Sequence, residues 1–142
     1  MNGIRSRRAV AALLLLAALV LSGCRAHPPS TGPLLMLDGE PWEGGELTPD
    51  AAEGLRVHIT LDGTPLAVQP VGEAHVLSVI QPDGSENTVE LTGETVYMLS
   101  ANCENQDCVN MGAVTRDNLE VRVMGGFIIC LPHRLSVEVR GE

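Results

Sequence analysis

An all-β fold, a small antiparallel sandwich or barrel behind a cleaved leader, is what this sequence predicts, and three observations carry it. Apolar and polar residues alternate with period two in several short segments. Clusters of Gly, Pro and Asp separate those segments at close spacing, which is the pattern of turns between antiparallel strands. Val, Ile, Leu and Thr fill the segments while aromatic residues make up only 2% of the chain, so the core has to be aliphatic. No long helical period and no internal repeat is visible.

Taken in order, Leu34–Leu37 is a short apolar run ended by the turn signal Asp38-Gly39. Residues 40–54 are acidic and rich in Gly and Pro; Thr48 as cap and Pro49 at the first position could start one helical turn before Gly54 stops it. Leu55, Val57, Ile59 and Leu61 then share one face of a half-buried strand, with Arg56, His58 and Thr60 opposite. Asp62-Gly63 turns the chain into a returning strand at Leu66–Val68. Strands follow at Ala74–Ile80, Thr88–Leu91 and Thr95–Leu99, separated by Pro82-Asp83-Gly84-Ser85 and Gly93-Glu94. Leu119, Val121 and Val123 alternate with Glu120 and Arg122 in the manner of a further strand, Gly125-Gly126 bends the chain, and Phe127–Leu131 and Leu135–Val139 complete the domain.

Ahead of this domain stands a leader. Arg5, Arg7 and Arg8 form a basic head, Ala9–Leu21 is an uninterrupted apolar run of thirteen residues, and Leu21-Ser22-Gly23-Cys24 closes it with small residues before a cysteine. A membrane-spanning helix needs roughly 20 apolar residues, so the run suits a cleaved signal rather than a permanent span. The tetrapeptide is the pattern of bacterial lipoprotein processing. Residues 1–23 are therefore expected to be removed, Cys24 to take lipid, residues 24–33 to serve as a tether, and 34–142 to form the β domain. The expected location is extracytoplasmic, lipid-anchored to the bacterial cell membrane; two or more acyl chains give stable anchoring where one does not.

Charge excludes one class of function. Loss of Arg5, Arg7 and Arg8 leaves six basic residues, all Arg, against 18 acidic ones, a formal charge of −12 on residues 24–142. A phosphate-binding surface needs clustered Lys or Arg, and Trp42, Tyr97 and Phe127 are too few to make a stacking platform. No nucleic acid is expected as a partner; the membrane, through lipid on Cys24, and another envelope protein are.

Three cysteines remain in the domain: Cys103 and Cys108 in a polar loop, and Cys130 before Pro132 and His133. The number is odd, so one bridge leaves one thiol over. Export favours oxidation, and one intramolecular disulfide with no stoichiometric metal or other cofactor is expected, leaning toward a pair that includes Cys130. The alternative is a metal or thiol-redox module that uses Cys103, Cys108, Cys130 and His133, since three thiolates and one imidazole suit zinc. His133 reads more simply as a rim residue. No catalytic residues are expected: Cys130 and His133 could be drawn as nucleophile and base, but no phosphate loop, serine elbow or metalloprotease helix accompanies them. Glu43, Glu46, Asp50 and Glu53 lack the spacing of a calcium loop and read as a solvated acidic segment.

Asn102-Cys103, Cys108-Val109, Gly112 and the run Ile128 to Leu135 resemble the signature of the family named after the second domain of the transcription factor NusG. The resemblance spans Leu34 to Gly141 and is most specific between Val96 and Val139. It implies a small all-β module, often found alone behind a signal or membrane segment. It does not imply transcription activity, because neither a polymerase-binding nor an RNA-binding domain fits in the remaining acidic residues.

Overall fold

A computed structural model describes residues 31–46 and 54–141. The helical turn expected at Thr48–Glu53, residues 1–30 with Cys24, and most of the tether lie outside the described residues. Eleven strands appear among those described: β1 Leu34–Leu37, β2 Glu40–Trp42, β3 Gly45–Glu46, β4 Leu55–Leu61, β5 Thr64–Pro70, β6 Ala74–Ile80, β7 Glu86–Thr92, β8 Thr95–Ala101, β9 Val114–Thr115, β10 Phe127–Cys130 and β11 Leu135–Gly141. One short helix, α1 Asp107–Asn110, lies between β8 and β9.

The strands form two sheets, ordered β2-β1-β6-β7-β8-β9 and β10-β11-β4-β5-β3. Every pairing is antiparallel except the two-residue β3–β5 contact. Neither sheet closes on itself, so the sandwich and not the barrel is the architecture. Two hairpins owe their geometry to Asp-Gly pairs. Asp38 and Gly39 have φ of 52° and 86°, and Asp62 and Gly63 have φ of 50° and 77°. Two successive left-handed residues make the turn whose twist matches the flanking strands, and Asp-Gly is the dipeptide that tolerates it best.

Alternation fills the core as expected. Leu35, Leu77, Val79, Val89, Leu91, Val96 and Met98 point inward from the first sheet, and Val57, Ile59, Ala67, Ile128, Leu135, Val137 and Val139 from the second. No aromatic ring belongs to this fully buried set; Trp42 packs against its margin. Burying each large aliphatic side chain favours folding by about 1.5–3 kcal/mol.

The strand expected at Leu119–Val123 does not form; turns occupy that segment. Its alternation is misleading because Val121 and Val123 are 79% and 102% exposed, with no sheet to cover them. Arg122 explains the loop instead. Its guanidinium donates to the carbonyls of Met111, Ala113, Gly125 and Phe127, at 3.1, 3.0, 3.0 and 3.3 Å. Backbone acceptors that a ladder would have used are thus held by a side chain. Asn118 helps, accepting from Thr115 N and donating to the Ala113 carbonyl.

At the β1–β2 turn a polar cluster gives the domain a pH dependence. Asp38 Oδ1 accepts from Val76 N, and Oδ2 lies 2.8 Å from His75 Nδ1; His75 Nε2 is 3.3 Å from Glu73. The Val76 amide, then His75, holds the Asp38 carboxyl below its ordinary 3.8. Asp38, reinforced by Glu73, holds His75 above its ordinary 6.5. The His75 contribution is therefore complete below pH 6.5 and is lost as pH rises through its raised pKa. The Asp38 contribution is present above pH 3.8 and is lost as pH falls through its lowered one. Stability should peak between these limits. Because Asp38 is half exposed and His75 partly so, the effect is about 1 kcal/mol or less. Denaturant unfolding from pH 4 to 9 should show the alkaline decline in the native chain and lose it in His75→Gln; an equal decline in both would exclude this pair as the source.

Candidate functional site

The three cysteines converge at one end of the sandwich, and each arrives by a different element. After β8, Asn102 pins the chain by accepting from Glu86 N and donating to the Gly84 carbonyl, both through its side chain. Cys103 follows and is buried. Gln106 then adopts a left-handed conformation, φ 55°, immediately before α1. Its amide folds back to donate to the carbonyls of Ala101 and Cys103, with the Cys103 sulfur 3.8 Å away. The Gln106 side chain closes the loop, while its backbone carbonyl accepts from Asn110 N to open the helix, which carries Cys108 inward. Cys130 ends β10 on its buried face, opposite Leu135 of β11.

Cys103 Sγ and Cys108 Sγ are 3.7 Å apart, and the three sulfurs all lie within 4.8 Å of one another. All three are present as thiols, and all are buried. Burial, with smaller contributions from the Cys130 and Cys103 sulfurs, pushes the Cys108 thiol up to about 12. A thiol so placed is a poor nucleophile, since the thiolate is the reactive form. Cys103 and Cys108 approach to 3.7 Å, and Cys130, the cysteine expected from the sequence to take part in a bridge, lies within 4.8 Å of both.

His133 stands apart from the thiols. The group of ligand atoms within reach of one another contains the three cysteines and not the imidazole. Nor is it a rim residue: it is only 7% exposed. Its Nδ1 donates to Asn87 Oδ1 at 2.8 Å, and its carbonyl accepts from Gln81 Nε2 at 2.9 Å. Asn87 and the preceding Gln81 belong to the first sheet's side of the domain, while His133 turns β10 into β11, so the ring ties the two sheets together. The four-ligand set of the sequence reading is reduced to three sulfurs, and the drawn Cys130–His133 pair becomes a thiol beside a structural imidazole. Of the acidic segment, Glu46 pairs with Arg56, while Asp50 and Glu53 lie outside the described residues.

Two contributors escaped the sequence reading. Gln106 and Asn87 are ordinary polar residues in sequence, and neither left-handed backbone at a Gln nor a buried Asn on a strand has a local signal. Asn87 was missed because its strand starts earlier than the apolar run shows.

The fold occurs in solved structures. A DUF1312 family protein from Enterococcus faecalis aligns at 22% identity over 61% of this chain and 95% of its own, with a TM-score of 0.53. The Lin0431 protein from Listeria innocua aligns at 23% identity over 62% of this chain and 95% of its own, with a TM-score of 0.52. At these identities the likeness speaks to the sandwich alone. No curated protein matches the chain. The family model for NusG domain II matches residues 11–142, which takes in both sheets and all three domain cysteines. The chain belongs to the NusG domain II family.

Proposed function

We propose that this protein is a non-enzymatic, lipid-anchored interaction module of the bacterial envelope, held by lipid on Cys24 and stapled by one disulfide drawn from Cys103, Cys108 and Cys130. The observation that carries the reading is the complete Leu21-Ser22-Gly23-Cys24 pattern behind a basic head and a short apolar run. Residues 25–33 reach at most about 30 Å when extended, which keeps the domain close to the bilayer. In an oxidising compartment a bridge between α1 and a neighbour would stabilise a small domain by about 2–4 kcal/mol. Exposed Val121, Val123 and Met124, on a loop already fixed by Arg122, and Leu131 beyond β10 offer apolar contacts for an envelope partner. The high Cys108 pKa and the engaged His133 ring speak against thiol catalysis.

A second reading, metal ligation by the reduced thiols, is favoured by one specific observation: three sulfurs within 4.8 Å of one another.

Intact mass of the exported protein before and after alkylation tests the first reading. One alkylated thiol without reduction and three with it, on a chain that begins at Cys24 and carries acyl mass, is expected. Cys24→Ser should abolish fatty-acid labelling and release the protein from the membrane fraction; undiminished labelling would remove the anchor from the proposal.

A further inference from the structure

We propose that the reduced Cys103, Cys108 and Cys130 thiols form a three-coordinate site for a soft monovalent cation of the copper(I) class. The proposal rests on the metal-ligation reading and adds to it the kind of ion, the coordination number and the route of entry.

Distance comes first. A metal–thiolate bond of about 2.3 Å places sulfurs about 4 Å apart, in a trigonal plane or on one face of a tetrahedron. The 3.7 Å separation of Cys103 and Cys108, and the 4.8 Å limit on the trio, bracket that value. Rotamer adjustment alone would bring the three sulfurs onto one ion. An iron–sulfur cubane needs more room between its cysteines than this.

Ligand number then chooses among single ions. Structural zinc takes four protein ligands, and among the described residues no His, Asp or Glu side chain completes the group. His133 is engaged by Asn87 and is not part of it. Soft thiolates suit copper(I), zinc and iron–sulfur clusters; of these, copper(I), a d¹⁰ monocation, is content with three sulfurs and no fourth ligand. Each sulfur that ligates releases one proton to solvent, so affinity should rise with pH.

The surroundings fit. A cavity of about 40 Å³ lies against Cys108 and Cys130, and Asn105, Asp107, Ile129, Leu131 and Pro132 complete its lining. It has room for an ion or a water but for no larger group. Asp107 gives the mouth a negative charge suited to a cation. On the far side the Gln106 amide points its N–H toward the Cys103 sulfur at 3.8 Å, the hydrogen bond that would steady a ligating thiolate.

The test uses the full chain carrying Cys24→Ser, so that only three thiols remain, reduced and held under nitrogen. Copper(I) is titrated against a chromophoric copper(I) chelator, and the loaded protein is examined by X-ray absorption. One equivalent held against the chelator, with three sulfur and no nitrogen neighbours, is expected. Cys108→Ser should lower the affinity at least a hundredfold, whereas His133→Gln should bind as the parent does. Circular dichroism of both variants shows whether they are folded. Failure of the reduced chain to retain copper, or a nitrogen neighbour lost in His133→Gln, overturns the site. Zinc retained at one equivalent in place of copper overturns the choice of ion. The disulfide reading is judged separately on the protein as isolated: a bridge there with copper uptake only after reduction supports both, a bridge without later uptake overturns this site alone, and three free thiols as isolated overturns the bridge alone.

Discussion

Gly126→Ala should destabilise the domain by about 3 kcal/mol or more, while Gly125→Ala one residue earlier should cost about 1 kcal/mol. A methyl group at Gly126 would meet the Val139 carbonyl oxygen at 1.9 Å and its carbon at 3.0 Å, with the Leu119 side chain at 3.1 Å. The obstruction is backbone, and that backbone belongs to β11, which is paired on its other side with β4 and cannot retreat without opening the second sheet. The Gly126 carbonyl also accepts from Val139 N at 2.9 Å, extending the β10–β11 ladder by one pair. Relief of the clash would break that bond and shift the strand that delivers Cys130. At Gly125 the strain is one of conformation, φ 55°, and the nearest atom is 3.8 Å away. For a domain stable by about 5–15 kcal/mol, the first substitution should lower the melting temperature by more than 10 °C and the second by a few degrees. Equal losses from the two would show that the close approach does not decide the position.

This contrast marks the border of what the sequence makes legible. Gly125-Gly126 reads as a bend in any all-β chain, yet nothing local reveals that the second glycine lies against another strand. Where strand formation follows from alternation and turn chemistry, the reading was close: β1, β4 and β6 have the expected bounds, and Leu135, Val137 and Val139 face inward. The elements missed are the ones with little pattern of their own. β2, β3 and β9 are two or three residues long and exist because a neighbouring strand leaves an edge to pair with. The segment Leu119–Val123 failed in the opposite sense, since it has the pattern but no partner, and Arg122 claims the carbonyls around it.

The site shows the same division. Cysteine count and the expected compartment make the trio conspicuous, and the convergence of loop and last strands is foreseeable once a small sandwich is expected. The part played by His133 is not, because its partner Asn87 is 46 residues away and on the other sheet. A histidine three residues after a cysteine invites a ligand reading; burial between sheets with Nδ1 and the main-chain carbonyl both engaged makes it a strut. Serial proximity to a thiol was the weaker guide.

Gln69→Leu should stabilise the protein by about 1–3 kcal/mol, although it replaces a fully buried residue. Gln69 lies on the inward face of β5, directly across from Val57 on β4, and has no exposed surface. Neither its amide nitrogen nor its oxygen has a hydrogen-bond partner among the described residues. An amide placed in an aliphatic core without partners costs a few kcal/mol relative to water, and leucine of similar volume removes that cost while keeping the packing. The nearby alternative shows why the effect should be specific. Asn87 is equally buried, but its oxygen accepts from His133 and its nitrogen meets Met98 Sδ at 3.6 Å, so Asn87→Leu should destabilise by stranding the imidazole. Opposite signs for two buried amides in one core are the expected result of chemical denaturation on both variants. A loss of stability in Gln69→Leu would mean that the amide is satisfied within the folded protein, by an enclosed water bridging it to backbone, and would move Gln69 from the liabilities of this core to its polar framework.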